Sequence, residues 1–402
     1  MRRIPFWSIL FGLLVASSLR AVEIATGMML GLRYDPDAFY FRTAENPAWR
    51  KTYTGKGYRG EARGKLMNVR LAQALFEDEW LSERPFDAAA NTARVIDALD
   101  FYKRHGVLAI SVGLQGADPG YAPNVNGITR QSGPQYGRSG GTLVSAFRPD
   151  GSLKPAWLAR LESLLRAADQ RGMFVCLIYF YPGLDVVFDS PETIEAGARQ
   201  MTDWLIDHKF RNVIIDVADE WDAPGQKWDQ SDYIPQNVGG MIERIRERFQ
   251  AKRADFTLPI GASASGRMLY PASLAEISDV VLLHGNGRAP AEKADRAQQY
   301  KAYQRPLLMT GDDNGRETTL SHLAREQASC EAFFRHGAGW GYTPWVQAER
   351  FPFYYLPGPS PDFTDQTPVA ERDRAYFHAV LDAMARFVLE KPPEGKKWKS
   401  KP

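Results

Sequence analysis

Apolar runs and amphipathic stretches alternate along the chain from about residue 65 to about residue 390. Short runs of branched apolar residues suit buried parallel strands, and the longer stretches between them have apolar residues at helical spacing. The predicted strands are 66–76, 107–114, 173–180, 213–218, 258–262, 280–284, 306–310 and 339–345. The predicted helices are 88–103, 155–170, 191–208, 235–249, 273–277, 291–303, 319–335 and 371–389. Eight successive strand–helix pairs predict an α/β fold, the closed (β/α)8 TIM barrel, over residues 65–391.

Segments outside this rhythm complete the predicted domain organisation. Residues 22–64 contain two aromatic stretches separated by the turn-forming pair Asn46-Pro47, and we expect a hairpin extension that plugs the amino-terminal end of the barrel. The stretches 116–147 and 344–368 follow the second and the eighth strand. Loops in those places lie over the carboxyl-terminal face, where they shape substrate clefts.

The sequence of the amino terminus is typical of a targeting segment. Arg2 and Arg3 precede an apolar stretch of about a dozen residues, which is followed by small residues. This order predicts a signal peptide over residues 1–21 and a secreted or periplasmic protein. The alternative is an uncleaved membrane anchor, but the apolar stretch is short for a bilayer. The last residues, 392–402, form a basic tail that we expect to be solvated.

The composition of the chain limits the kinds of binding partner and cofactor that we expect. The 402 residues are 44% hydrophobic with a net charge of +2, so no strong field favours nucleic acid. The two cysteines, Cys176 in a predicted strand and Cys330 on a predicted helix, are expected to be buried thiols rather than a disulfide. No cysteine–histidine spacing suggests zinc, and no glycine-rich phosphate turn follows the first strand. We therefore predict no cofactor, no metal and no stable membrane insertion after the signal is removed.

Residues 212–222 hold the strongest functional signal in the chain. A run of branched apolar residues ends abruptly in Asp219, Glu220, Trp221 and Asp222. Packing gives no reason for charge just past the carboxyl end of a buried strand, whereas catalytic groups of α/β barrels sit there. Glu220 is therefore the first catalytic candidate. Asp219 or Asp222 could instead cap the element that follows.

Other predicted strands also end in polar or aromatic residues that should converge on the same cleft. They are Gln115, Tyr179, Tyr181, His284, Asn286, Asp312, Asp313, Trp340 and Trp345. Carboxylates interleaved with aromatic rings suit a neutral sugar, because rings stack on pyranose faces and carboxylates perform the acid–base work of glycosidic cleavage. We expect a carbohydrate partner, bound by Asp219, Trp221 and the polar and aromatic residues in that set. His284 could instead be a core histidine that orients a neighbour.

These strand ends resemble clan A glycoside hydrolases, in particular the cellulase-like barrels related to family 5. The resemblance rests on Asp219-Glu220, on His284, on the strand 306–310 and on the ending Gly-Trp-Gly-Tyr-Thr-Pro-Trp at 339–345. It covers most of the mature chain. The resemblance implies that Glu220 is the acid/base and that Trp345 is a sugar-stacking platform. It also implies a nucleophilic glutamate directly after the seventh strand.

The chain departs from that pattern at two positions. Asp219 stands where the clan has asparagine, and Gly311 stands where it has the nucleophile. The nearest carboxylates are Asp312 and Asp313, and we favour Asp312 as the replacement because it is the first one after the strand. Both could instead belong to a turn. The hypotheses are thus a hydrolase, a catalytically degenerate sugar-binding barrel, or other chemistry on the same scaffold.

Overall fold

The computed structural model describes residues 28–31, 39–43, 48–54, 56–77, 86–116, 144–224, 228–230, 232–313, 318–356 and 369–393. The predicted signal peptide at 1–21 lies outside these ranges. So do most of the loop 116–147, the end of the stretch 344–368 and nearly all of the basic tail 392–402.

Three short strands precede the barrel and form the predicted extension. They are Met28–Gly31 (β1), Tyr40–Thr43 (β2) and Arg50–Lys51 (β3), paired antiparallel in the order β1-β2-β3. Phe39 is buried in a small apolar cluster with residues near the starts of barrel strands, among them Leu66, Ala109 and Phe174. The hairpin prediction is confirmed, and Phe39 closes the amino-terminal end of the barrel.

Parallel strands close the barrel. They are Met67–Arg70 (β4), Ala109–Gly113 (β5), Phe174–Phe180 (β6), Val213–Ala218 (β7), Ile260–Gly261 (β8), Ser263–Ala264 (β9), Val281–His284 (β10), Leu307–Gly311 (β11) and Trp340–Tyr342 (β12). One ladder runs β12-β4-β5-β6-β7-β8 and a second runs β9-β10-β11. Ala262 alone separates β8 from β9, so they are halves of one strand. Parallel bridges Leu308–Gly339 and Asp312–Tyr342 join β11 to β12. The ring is therefore closed, as predicted.

Helices surround the ring. They are Ala88–Arg104 (α1), Pro155–Gln170 (α2), Pro191–Asp207 (α3), Ile234–Ala251 (α4), Ala272–Ile277 (α5), Pro290–Tyr300 (α6), Leu320–Arg335 (α7) and Val369–Val388 (α8). Their starts follow local sequence. Asp87 accepts a hydrogen bond from the Ala90 backbone N–H at 2.8 Å, and Pro191 opens α3 after a Ser190–Thr193 capping box. No helix in the described ranges combines the length and apolar character needed to cross a bilayer.

Strand alternation sorts side chains into two layers. Along β7, Val213, Ile215 and Val217 belong to the large apolar cluster between strands and helices, whereas Ile214 belongs to the inner cluster. Asp216 shares the inward parity of Ile214 and is fully buried. Cys176 and Cys330 are both buried and unbonded to each other, as expected.

The first and the last strand are shorter than the sequence pattern predicts. β4 ends at Arg70, and Ala72–Leu75 forms a 3-10 helix instead of continuing the strand. Both pieces are completely buried, so one unbroken apolar run covers two kinds of structure. β12 ends at Tyr342, and Trp345–Glu349 forms one π-helical turn. These two boundaries change which residues reach the carboxyl-terminal mouth of the barrel.

Candidate active site

Arg70, the last residue of β4, is the centre of a buried charged network. Its Nη1 and Nη2 donate to the two carboxylate oxygens of Asp219 at 2.7 and 3.1 Å, and its Nε donates to Glu349 Oε1 at 2.7 Å. All three side chains are almost completely buried. The guanidinium thus offsets the second negative charge beside Glu220, and its fork geometry fixes the Asp219 carboxylate.

Glu220 is turned into the mouth by unusual backbone geometry. It follows β7 with φ of 45°, in the left-handed region that non-glycine residues rarely adopt. Its Oε1 accepts hydrogen bonds from Asn286 Nδ2 at 2.7 Å and from His284 Nδ1 at 3.1 Å. The Glu220 backbone N–H donates to Ser263 Oγ at 3.2 Å. Such local strain costs about 1–3 kcal/mol and persists where surrounding contacts enforce it, commonly at active sites.

His284 links Glu220 to the arginine network. Its Nε2 lies 3.3 Å from Arg70 Nη1 and 3.4 Å from Asp219 Oδ1. Burial alone would lower the pKa of His284. The Asp219 carboxylate and the hydrogen bond to Glu220 outweigh burial and raise the pKa above its ordinary value of 6.5. A protonated His284 can hold both carboxylates in place.

An open cleft of about 450 Å³ gives access to Glu220. Its walls come from the segments after β7, β9 and β10 and include Glu220, Pro224, Ser265, Gly266, Arg267, Asn286, Gly287, Arg288 and Glu292. The Glu220 side chain is 14% exposed, in contrast to the buried Asp219. Of the two adjacent carboxylates, Glu220 is therefore the one that a substrate can reach.

The end of the seventh barrel strand places no carboxylate at the cleft-facing position. A methyl group at Gly311 would lie 3.0 Å from Thr343 Oγ1 and 3.2 Å from the His284 ring, so Gly311 faces the mouth. Asp312 is completely buried, with Oδ1 accepting from Lys293 Nζ at 2.6 Å and Oδ2 from Trp340 Nε1 at 2.8 Å. Lys293 lies on α6, so the Asp312 side chain points into the helix layer.

The predicted placement of Asp312 and Trp340 at the cleft is consequently wrong. Side chains alternate along a strand, and the residue after an inward Gly311 faces outward while the ladder continues. Trp340 is buried, and its ring stacks on Tyr342, which packs on α8. Trp340 thus belongs to the strand–helix core, not to a sugar platform.

Two further predicted sugar contacts are internal to the fold. The Tyr179 hydroxyl lies 3.3 Å from Thr202 Oγ1 on α3, and the Tyr179 side chain is completely buried in the outer layer. Buried Gln115 donates to Ser145 Oγ and to the Leu184 carbonyl, and its Oε1 accepts from the Tyr181 backbone N–H at 2.9 Å. Gln115 is therefore occupied by contacts within the fold and orients the segment that carries Tyr181.

The remaining predicted contacts occupy the mouth or its rim. The pKa of the Tyr181 hydroxyl is raised by burial and by the Asp219 carboxylate, which places Tyr181 beside the charged network. Trp221 is half-buried, and its Nε1 is a buried atom without a hydrogen-bond partner in the described structure. The Trp345 ring lies under the Arg350 guanidinium, 4.5 Å from the centroid. The Asp313 carbonyl accepts from the Gly287 backbone N–H at 2.8 Å. Sugar contact by Tyr181, Trp221 and Trp345 and a catalytic role for Asp313 stay predictions.

The sequence pattern missed Arg70 and Glu349. Glu77, the first carboxylate after the predicted first strand, does not fill this place, because it pairs with Arg160 on α2 at 2.6 Å. The available signal was a cation inside an otherwise apolar run. Arg70 also occupies the position between Asp219 and Glu349 that a divalent ion would need. Among the described residues, the one group of three close metal-ligating side chains lies elsewhere, at His105, His378 and Asp382.

The buried network predicts a protein that is most stable at mildly acidic pH. Burial raises the pKa of Glu349 and of Asp216, and the pKa of His284 is raised as described. Each group holds its proton more tightly when folded, so its contribution is present at low pH and is lost as pH rises through the folded pKa. We expect the melting temperature to fall between about pH 5 and about pH 8. Circular dichroism melts across that range test this, and a melting temperature that rises instead would contradict it.

Comparisons with known proteins agree on the fold. No protein-family profile and no curated protein sequence matches the chain. Among solved structures it is similar to PbGH5A, a glycoside hydrolase family 5 enzyme from Prevotella bryantii B14, with 9% identity, TM-score 0.50, and coverage of 80% of this chain and 95% of that one.

The chain also resembles the Prevotella bryantii endo-β-mannanase/endo-β-glucanase PbGH26A-GH5A, with 10% identity, TM-score 0.50, and coverage of 80% and 48%. A third similar structure is the exo-β-1,4-mannosidase Op5Man5 from Opitutaceae bacterium strain TAV5, with 14% identity, TM-score 0.47 and coverage of 83%. The chain spans 61% of that mannosidase's length. The protein thus has a glycoside hydrolase-like barrel fold.

Proposed function

We propose that the protein is an exported glycoside hydrolase that acts on a poly- or oligosaccharide, with Glu220 as the general acid. The observation that carries this proposal is the placement of Glu220. It lies directly after β7, faces a cleft of about 450 Å³, and has one oxygen held by Asn286 and His284. The packing of a buried strand end does not require such an arrangement. Proton donation to a bound glycosidic oxygen does require it.

The proposed reaction proceeds without a glycosyl-enzyme bond at the seventh strand. Glu220 donates its proton to the leaving glycosidic oxygen as the bond to the anomeric carbon breaks. Gly311 offers no nucleophile, and the Asp312 carboxylate is turned away to Lys293. The anomeric carbon is therefore attacked by water or by a group of the substrate itself. Water attack inverts the anomer and releases the water proton to solvent, whereas attack by a group of the substrate retains the anomer.

A sugar-binding barrel that no longer cleaves is the second candidate. Gly311 and the buried Asp312 favour it, because they remove the second carboxylate that the resemblance implies. The cleft, Tyr181 and the rim aromatics would then serve binding alone. This candidate predicts saturable glycan binding without product.

A glycan panel with anomer analysis tests the proposal. Because the chain is similar in fold to an endo-β-mannanase/endo-β-glucanase, β-mannans and β-glucans are the first substrates to test, followed by other neutral oligosaccharides. The purified protein is incubated with each glycan, and the new anomeric centre is followed by proton NMR before mutarotation. We expect new reducing ends with the inverted anomeric configuration if water attacks, and with the retained configuration if the substrate assists. Binding with no product on any glycan would replace hydrolysis with the second candidate, and neither binding nor product would reject both.

A further inference from the structure

Two histidines and an aspartate from the two ends of the barrel sequence meet in the helix layer. His105 caps the carboxyl end of α1, and His378 and Asp382 lie one turn apart on α8. His105 Nε2 is 3.4 Å from Asp382 Oδ1, and His378 Nδ1 is 3.3 Å from Asp382 Oδ2. His105 and Asp382 are each 3% exposed. We call these three residues the His105 cluster.

None of the facing atoms in the His105 cluster forms a hydrogen bond. His105 Nε2, His378 Nδ1 and both Asp382 oxygens are buried atoms with no hydrogen-bond partner in the described structure. Among the described residues, the buried Asp382 carboxylate faces only the two imidazoles and forms no hydrogen bond with either, and its lost hydration has to be replaced. Something positive in the space between the three side chains would replace it.

The protonation of His105 indicates what that positive group is. His105 Nδ1 lies 2.8 Å from the Phe101 carbonyl, which can only accept, so Nδ1 carries a hydrogen. In the neutral ring, Nε2 then presents a lone pair toward the Asp382 carboxylate. Backbone carbonyls commonly hold metal-binding histidines in this way, because the outer bond fixes the tautomer and the ring orientation.

The two histidine–carboxylate separations in the His105 cluster equal those between neighbouring zinc ligands, with each histidine facing its own oxygen of Asp382. Zinc bonds to imidazole nitrogen and carboxylate oxygen of about 2.0–2.1 Å put neighbouring ligand atoms about 3.3–3.4 Å apart. The two nitrogen–oxygen separations are 3.4 and 3.3 Å, and the potential ligand atoms all lie within 4.8 Å of one another. We propose that His105, His378 and Asp382 bind one zinc ion. The His378 side chain is 12% exposed, which leaves water access to the fourth position.

His208 provides a matched contrast within the same chain. It caps α3 as His105 caps α1, its Nδ1 lies 2.8 Å from the Trp204 carbonyl, and its ring lies against the Trp204 ring at 4.5 Å. His208 is exposed and has no carboxylate facing its Nε2 among the described residues. The helix-end geometry therefore occurs with and without a carboxylate, and only the His105 cluster offers three converging ligands.

The bound ion would tie the first helix of the barrel to the last. Residue 105 and residues 378 and 382 are far apart in the chain, so the cross-link would constrain the ring where its two ends meet. An ion that binds the folded chain alone stabilises it by mass action, and the gain grows with free zinc concentration. The role we assign is structural and is independent of the cleft at Glu220.

Zinc content and cobalt spectroscopy test the site in the full chain. The protein, with any affinity tag removed, is stripped with chelator, reloaded with zinc, desalted and analysed for metal. We expect about one zinc per chain, a melting temperature several degrees higher with zinc, and tetrahedral visible bands when cobalt replaces zinc. Loss of an outer-shell partner lowers metal affinity about 10- to 100-fold. His105→Gln, His378→Gln and Asp382→Asn each remove a direct ligand and should lower zinc affinity by more than that. His208→Gln should bind as the unaltered protein does.

Several results would overturn the proposal. A folded, unaltered chain that retains no stoichiometric zinc and gives no tetrahedral cobalt spectrum has no such site. Equal zinc content in the three cluster variants and in His208→Gln would assign the metal to another place. If the cluster variants fail to fold, the cobalt spectrum of the unaltered protein still decides, because it requires no substitution. Wild-type stability that does not respond to zinc would remove the structural role.

Discussion

Glu220→Gln should abolish turnover of the glycan that the panel identifies, while glycan affinity stays nearly unchanged. Glutamine keeps the size of the side chain and can still contact Asn286 and His284, but it has no proton to give to the leaving oxygen. Loss of a general acid costs about 10²- to 10⁴-fold in rate. Steady-state kcat measures the loss, and calorimetric titration measures the affinity.

Glu292→Gln is the matched control for that variant. Glu292 lies on α6 and lines the same cleft. Its exposed carboxylate pairs with Arg288 and accepts a hydrogen bond from the Ala289 backbone N–H at the start of the helix. Its substitution should leave kcat within a small factor of the unaltered value. Full activity in Glu220→Gln would end the assignment of Glu220. Equal losses in both variants would point to the cleft's charge instead of one proton donor.

The barrel itself could be predicted because its signals are local and repeated. Most strands after the first lie in short apolar runs, and amphipathic helices with recognisable starts follow them. The end of the first strand could not be read in this way. Arg70 lies inside the run 66–76, and the buried 3-10 helix Ala72–Leu75 continues the apolar pattern beyond it. The consequence was a wrong strand end and a missed arginine.

The candidate site divides along a different line. Glu220, His284 and Asn286 were predicted from strand ends, and the structure places His284 Nδ1 and Asn286 Nδ2 3.1 and 2.7 Å from Glu220 Oε1. Tyr179 and Trp340 were predicted by the same reasoning and face the helices. The distance of a residue from a strand end does not determine which way its side chain faces. That direction depends on whether the residue occupies an inward or an outward position in the alternation along the strand. Glu349 was missed because it lies at the end of a π-helical turn, which has no regular apolar period to reveal it.

 The π-helical turn Trp345–Glu349 lies between β12 and α8 and brings the Glu349 carboxylate to Arg70.

Strand parity also explains why the first carboxylate after the seventh strand faces away from the cleft. The ladder continues through the Asp312–Tyr342 bridge, so Asp312 takes the orientation opposite to that of Gly311. An outward aspartate at this depth meets the helix layer, and Lys293 on α6 is completely buried there as its counter-charge. The sequence identified the missing nucleophile at Gly311, but only the structure shows that Asp312 has a different partner.

Asp312→Asn should therefore destabilise the fold instead of acting on catalysis. Asparagine keeps the shape of the side chain but removes the charge that neutralises Lys293 Nζ at 2.6 Å. Breaking one partner of a buried ion pair costs about 3–5 kcal/mol, because the remaining charge is left uncompensated. Urea denaturation followed by circular dichroism measures the loss. Asp255→Asn is the control, since Asp255 pairs with Arg211 at the surface and is 72% exposed, and its substitution should have a far smaller effect.

A double variant separates the two roles of Asp312. In Lys293→Met with Asp312→Leu, both charges are gone, and much of the stability lost in Asp312→Asn should return because no buried charge is left unpaired. The Trp340 Nε1 donor loses its acceptor in that variant, so the recovery should be incomplete. Glycan turnover per folded molecule should stay close to that of the unaltered protein, since Asp312 does not face the cleft. A stable Asp312→Asn protein without activity would contradict the structural role and return Asp312 to the catalytic centre.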